Sequence, residues 1–519
     1  MPRQRTVHAE RFMVVSGHPL ATDSALDVLA QGGSLADAAV CASALLSVVA
    51  THANSVGGDG FVLLRFGGQV GGRIEGLNGS GPAPGTADAA RFAGGIPAKG
   101  AIAAVVPGLP RMWGALHERH GRLPWSRLIE PAIAAAQAHT ASVVLLRNLD
   151  AELSTVRADP GCSAIYVADG QPLAAGAMLK QPALARTLGT IAAHGAAGFY
   201  QGAVAQALVR AVGAAGGLIS TTDLVAFRPE WVTPLSTSYR GLTVHGLPPN
   251  AYGALMLAQL NALAGLDPAQ LAGDPVTCLD FEMRAAFAAL ALAKPRVFDS
   301  RTRAFDQDGL LGAAATLQLQ AALHVHVPTV TPPSPGGTTG LVLADAASDD
   351  AIVMLQSNFQ PFGCAFLDQD TGILLNNRMM CFSADPKDPN VVAPGKRPAH
   401  THNPVLVTDA GRLRLAMATP GGISQTISCV QVMVNRLDRG WDLAQAIDAP
   451  RWSTDRFGAK VIETAFEDGV VAQLATKGHA VTRASGSNFF GSVKAIEQMP
   501  DGSLLGHADH RREATAGGL

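Results

Sequence analysis

Between His324 and Gly337 the chain reads HVHVPTVTPPSPGG, and no regular element can run through it. Its four prolines remove backbone donors and fix φ, while the two closing glycines add freedom. The segment is the best linker in the sequence. It separates a largely helical region from one where short strands dominate.

Upstream, Ser24 to Gln31 reads as a helix stopped by Gly32-Gly33. Ser34 caps the next, with Asp37 three residues on, and Ala38 to Val49 present an almost wholly apolar surface that must be buried on most sides. Gly57-Gly58-Asp59-Gly60 turns the chain into the apolar run Phe61 to Arg65, of strand character. Helices are predicted over Leu128 to Ala138, Ala203 to Ala214 and Tyr252 to Ala264, and a strand over Leu242 to His245. Downstream of the linker, Thr338 to Asp345 and Ala351 to Leu355 form a hairpin around Ser348-Asp349-Asp350. Pro404 to Val407 and Leu413 to Ala418 form a second strand pair, and Pro420-Gly421-Gly422 leads into a helix from Gln425 to Leu437. Periodicity thus gives a mixed α/β chain.

Composition narrows the function classes. Lys and Arg number 39 against 41 Asp and Glu, which leaves no electrostatic footprint for nucleic acid or an anionic membrane surface. The longest apolar run, Ala38 to Ala50, is interrupted by serines and falls short of the ~20 residues a membrane span requires. The apolar stretch near the start is too short for a signal peptide, so a cytoplasmic protein is expected. Six dispersed cysteines without a CxxC pair fit reduced, mostly buried thiols, Cys381 included. No cofactor or metal is implied, since His400 and His402 have no neighbouring carboxylates in sequence.

Thr338, directly after the Pro/Gly segment, is the sharpest chemical feature. A hydroxyl at a strand start can attack the preceding carbonyl when that peptide is strained, converting the amide to an ester that water cleaves. The chain would be cut between Gly337 and Thr338. The freed α-amino group, of reference pKa about 7.7–8.0, can then take the proton from its own residue's hydroxyl. The plain alternative is a loop followed by a Thr-rich strand.

Ordered motifs decide between the two. SGHPLATDSALDVLAQGGSLADAAV, GGDGF, PGLPRMWGALHERHG, GLISTTDLVAF and TPLSTSYRGLTVHGLPP precede the linker. TTGLVLAD, FGCAF, TGILLNNRM, KRPAHTHNP, TPGG, AIDAPRW and HADHRREATAGGL follow it. The chain resembles the γ-glutamyltransferase family of N-terminal-nucleophile hydrolases over nearly its whole length. The resemblance implies a four-layer αββα sandwich, α/β in class, made as one precursor. Residues 1–337 would form a large subunit and 338–519 a small one, the two sharing one structural domain. Thr338 would be the nucleophile, with Ser357 supporting it, while Gly421 and Gly422 would supply backbone N–H groups to the oxyanion. Glycine suits that role because side chains would keep the backbone from the developing charge.

The departures are equally specific. The family's arginine that holds a glutamyl α-carboxylate has no counterpart in Gly79-Ser80-Gly81-Pro82-Ala83-Pro84, and the acidic residue that holds the α-amino group is replaced by Cys381. The paired serines become His400-Thr401. Loss of two charged clamps, each contributing about 1.5–3 kcal/mol, argues for a non-glutamyl acyl amide of the oxamate or cephalosporin-acylase kind. Asn358, Arg378, His400 and Thr401 are the expected substrate contacts, with Arg378 either holding a substrate carboxylate or forming a structural ion pair. The expected partners are a small amide, and water or an amine as acceptor, with no nucleic acid and no membrane. The other readings are a genuine glutathione hydrolase or transferase, and an uncleaved binding protein of the same fold.

Overall fold

The computed structural model describes residues 4–68, 72–325, 336–455 and 458–519. Most of the Pro/Gly linker falls outside these residues. Two seven-stranded antiparallel sheets lie face to face. One runs in the order Thr515–Gly518, Phe12–Ser16, Gly337–Asp345, Asp350–Phe359, Asp59–Phe66, Arg73–Asn78, Glu230–Val232. The other runs Thr6–Ala9, Leu504–Ala508, Lys494–Gln498, Arg412–Ala418, Val405–Asp409, Leu242–Gly246, Leu235–Tyr239. Each sheet draws strands from both sides of the linker.

Side-chain alternation along the strands builds the layers, because neighbours point to opposite faces. In Gly337–Asp345, Leu341 and Leu343 join a core shared with the helices Pro19–Ala30, Leu35–Val49 and Leu109–His120, whereas Val342 and Ala344 pack between the sheets. On the far side, Val405, Val407, Leu415 and Met417 meet the helices Gly253–Ala264, Pro275–Ala293 and Ser424–Leu437. The result is a four-layer αββα sandwich.

Local signals account for the elements. Ser34 and Asp37 form a reciprocal capping box at the start of Leu35–Val49, every residue of which is buried. The first helix begins at Pro19, earlier than the pattern from Ser24 indicates, because the His18 ring accepts the Leu20 N–H in place of a hydroxyl cap and Pro19 occupies the first turn. The helix Trp125–Gln137 accommodates Pro131 in its interior. The predicted hairpin is present as Gly337–Asp345 and Asp350–Phe359, longer than the apolar pattern alone. Among the described residues no helix is long and apolar enough to cross a membrane.

Candidate active site

Thr338 opens an inner strand of its sheet, and the pairing there is irregular. Gly337 stands opposite Phe359 while Thr339 stands opposite Gln356, so the register shifts across Thr338. Phe359 carries φ +78°, a conformation L residues seldom adopt, directly across from the Gly337 carbonyl. Approach is close, since a Cβ on Gly336 would lie 2.6 Å from the Phe359 carbonyl oxygen.

Ser357 organises this bulge. Thr338 Oγ1 donates to Ser357 Oγ at 3.3 Å, and the Phe359 N–H donates to the same oxygen at 2.7 Å. Ser357 Oγ in turn donates to the Gly337 carbonyl, the one that an attack by Thr338 would target. Arg512 Nη1 donates to the Thr338 carbonyl at 3.2 Å.

The glycine turn follows a strand of the other sheet, Arg412–Ala418. Ala418, three residues before Gly421, pairs with Lys494, and a Cβ on Gly340 would lie 3.3 Å from Ala418 Cβ, so the strand that leads into the turn packs against the strand that Thr338 opens. Gly421 and Gly422 have φ of +123° and +62°. Their carbonyls accept from Ser424 and Gln425 at 3.1 Å, which seats the turn on the helix Ser424–Leu437.

The remaining expected contacts form a buried group that adjoins this bulge, since Asp59 pairs with Ser357. Arg378 Nη2 lies 3.3 Å from Asp59 Oδ1, and His400 Nε2 lies 3.0 Å from Asp59 Oδ2. All three side chains are at most 1% exposed, and the Arg378 guanidinium stacks over Phe359. Burial pushes the Asp59 carboxyl up, but Arg378 and His400 outweigh it and hold it below the usual carboxylate range. Burial, then the Arg378 charge, lowers His400 to about 4. Arg378 is thus ion-paired with Asp59. Asn358 is buried, its side-chain oxygen accepts from Ser55 at 2.9 Å, and its Nδ2 has no hydrogen-bond partner among the described residues. Thr401 is buried beside His400. The Cys381 thiol is raised by burial, against a smaller lowering by Arg378, which does not suit a nucleophile.

Sequence reasoning did not single out Asp59, His52, Lys494 or Arg512. A cleft beside the nucleophile is lined by His18, His52, Thr338, Lys494, Arg512 and Glu513, among others. Burial, then Arg512, Arg147 and His18, lowers His52 to about 3, so its ring is neutral. The available signals were an aspartate set among glycines before an apolar strand, and a lysine within the otherwise apolar GSVKAI.

Residues 21–519 match the sequence profile of the family described as Gamma-glutamyltranspeptidase. The glutathione hydrolase-like YwrD proenzyme of Bacillus subtilis is 30% identical, over 99% of this chain and 100% of its own length. The oxamate amidohydrolase proenzyme of Klebsiella pneumoniae is 31% identical, over 98% of both chains. Among solved structures, cephalosporin acylase from Bacillus halodurans superposes with a TM-score of 0.92 at 29% identity, covering 100% of this chain and 98% of that one.

Proposed function

The chain belongs to the Gamma-glutamyltranspeptidase family of amide-cleaving and acyl-transferring enzymes, and from that premise we propose a self-processing amidohydrolase that uses Thr338 on a non-glutamyl acyl amide. In the precursor, the Thr338 hydroxyl attacks the Gly337 carbonyl while Ser357 hydrogen-bonds to its oxygen. The C–N bond breaks, nitrogen takes the proton, and the resulting ester is hydrolysed to a Gly337 carboxylate and a free Thr338 amine. Subunits 1–337 and 338–519 remain together, since each sheet needs strands from both.

Turnover repeats the chemistry on substrate. The Thr338 amine accepts the hydroxyl proton as oxygen attacks the acyl carbonyl, and the N–H groups of Gly421 and Gly422 hold the oxyanion. The amine product leaves with that proton, and water or an amine acceptor resolves the ester. The observation that carries this reading is the contact of Ser357 with both the Thr338 hydroxyl and the Gly337 carbonyl.

Specificity follows from the ion cluster. Arg378 is matched by Asp59, and Cys381 offers no carboxylate to an α-amino group, so a glutamyl head finds no acidic partner for its amine at Cys381 and no free guanidinium at Arg378. The likeness to the glutathione hydrolase-like relative supports the second reading. Release of aniline from γ-glutamyl anilides, compared with ammonia release from short acid amides, separates them. Turnover of the acid amides is expected, and rapid turnover of the γ-glutamyl compound alone would reject the non-glutamyl assignment.

A further inference from the structure

We propose that Lys494 and Arg512 form a carboxylate-binding site in the Thr338 cleft, selecting acyl groups that end in a carboxylate, as in monoamides of short dicarboxylic acids. This rests on the amide-cleaving reading above, and adds the location and charge of the acyl-recognition element.

Both cations line the same cleft as Thr338. Arg512 is tied to the nucleophile's own carbonyl at 3.2 Å, and its buried Nε has no hydrogen-bond partner among the described residues. Lys494 is 1% exposed, and its Nζ donates to the Ser492 carbonyl at 2.7 Å. That bond satisfies one of an ammonium's three donors. Backbone pairing holds Lys494 in place, because it lies opposite both Ala418 and Ala508.

The local charge is unbalanced. Glu513 is the carboxylate lining the cleft, and its oxygens already meet the Val144 N–H at 2.5 Å and His18 Nε2 at 3.8 Å. Asp509 lies close enough to act on both cations, but it receives Arg451, Arg511 and the Val493 N–H. Arg147 adds further positive field. Burial and then Arg512 bring Lys494 down to about 7, and burial and then Arg147 bring Arg512 down to about 10. Desolvated cations of this kind gain most from an incoming anion. Arg378, by contrast, has its carboxylate already. A ligand carboxylate on Arg512 sits beside Thr338, which limits the acyl group to a short spacing between carboxylate and scissile carbonyl.

Succinamate and butyramide differ in a carboxylate against a methyl, so ammonia release from each by the processed enzyme tests the site. We expect the kcat/KM ratio to favour succinamate and to fall roughly 10- to 100-fold in Lys494→Met and in Arg512→Met, with recovery in Lys494→Arg. A wild-type ratio near one, or a ratio unchanged in both methionine variants, overturns the site. Thermal shifts with succinate and butyrate give a readout independent of turnover and of the variants' folding. Selective stabilisation of wild type by succinate supports the site, and equal response to the two acids overturns it. Succinate binding without cleavage of any amide would instead reject the amidohydrolase reading while leaving the anion site standing.

Discussion

The hydroxyl of Thr338 lies 3.3 Å from that of Ser357, and Ser357 spends its own proton on the Gly337 carbonyl. One serine therefore orients the nucleophile and polarises the bond to be cut. Ser357→Ala removes both contacts and leaves the Phe359 N–H without its acceptor. We expect self-cleavage to slow by roughly 10²–10³, the usual cost of losing one oxyanion donor. A time course of band intensities on denaturing gels measures it, and cleavage at the wild-type rate would remove Ser357 from the account.

Gly421 holds φ +123°, and a Cβ there would also press on Ser424 Cβ at 3.1 Å. Gly421→Ala should rotate the backbone away from Thr338, with kcat on acid amides falling about 10²–10³. Wild-type kcat in processed Gly421→Ala would show that this turn does not serve the oxyanion.

Asp59 neutralises Arg378 and is bonded to His400. Asp59→Asn leaves a buried guanidinium unpaired, and such losses cost about 3–5 kcal/mol. Urea unfolding should show this, with much of it recovered in Asp59→Asn/Arg378→Met. If the single variant is as stable as wild type, the cluster is not structural.

Glu282 lies buried beneath Trp452, whose Nε1 donates to its Oε2 at 3.0 Å. Burial raises the carboxyl from 4.5 to about 7, against smaller lowering by Arg439, Trp452 and Cys278. Between those pH values the folded state keeps a proton that the unfolded chain has lost, so this group's contribution to stability declines as pH rises through the window. Glu282→Gln should be more stable than wild type at pH 8, by on the order of 3 kcal/mol, with the difference vanishing below pH 4.5. Denaturant midpoints at the two pH values check the sign.

The fold was legible where cause and effect are local. Ser34 with Asp37 announces a capped helix, and the alternation after Thr338 announces an antiparallel hairpin, both of which are present. His18 as a cap escaped notice because a ring nitrogen in that role has no strong sequence signature. Thr338, Gly421 and Gly422 stand out through the ordered motifs that contain them, and Ser357 through the resemblance those motifs carry. Asp59 and Lys494 acquire meaning only through strand neighbours far away in sequence, Ser357 for the first and Ala418 for the second. Arg512 likewise needs the Thr338 carbonyl, 174 residues distant.

Cleavage before Thr338 is the central claim, and intact-mass analysis of the purified protein tests it most directly. The account predicts two polypeptides, residues 1–337 and 338–519, the second with threonine at its N-terminus, and a single uncut chain for Thr338→Ala. A wild-type protein that persists as one 53.4 kDa polypeptide while cleaving amides would contradict it.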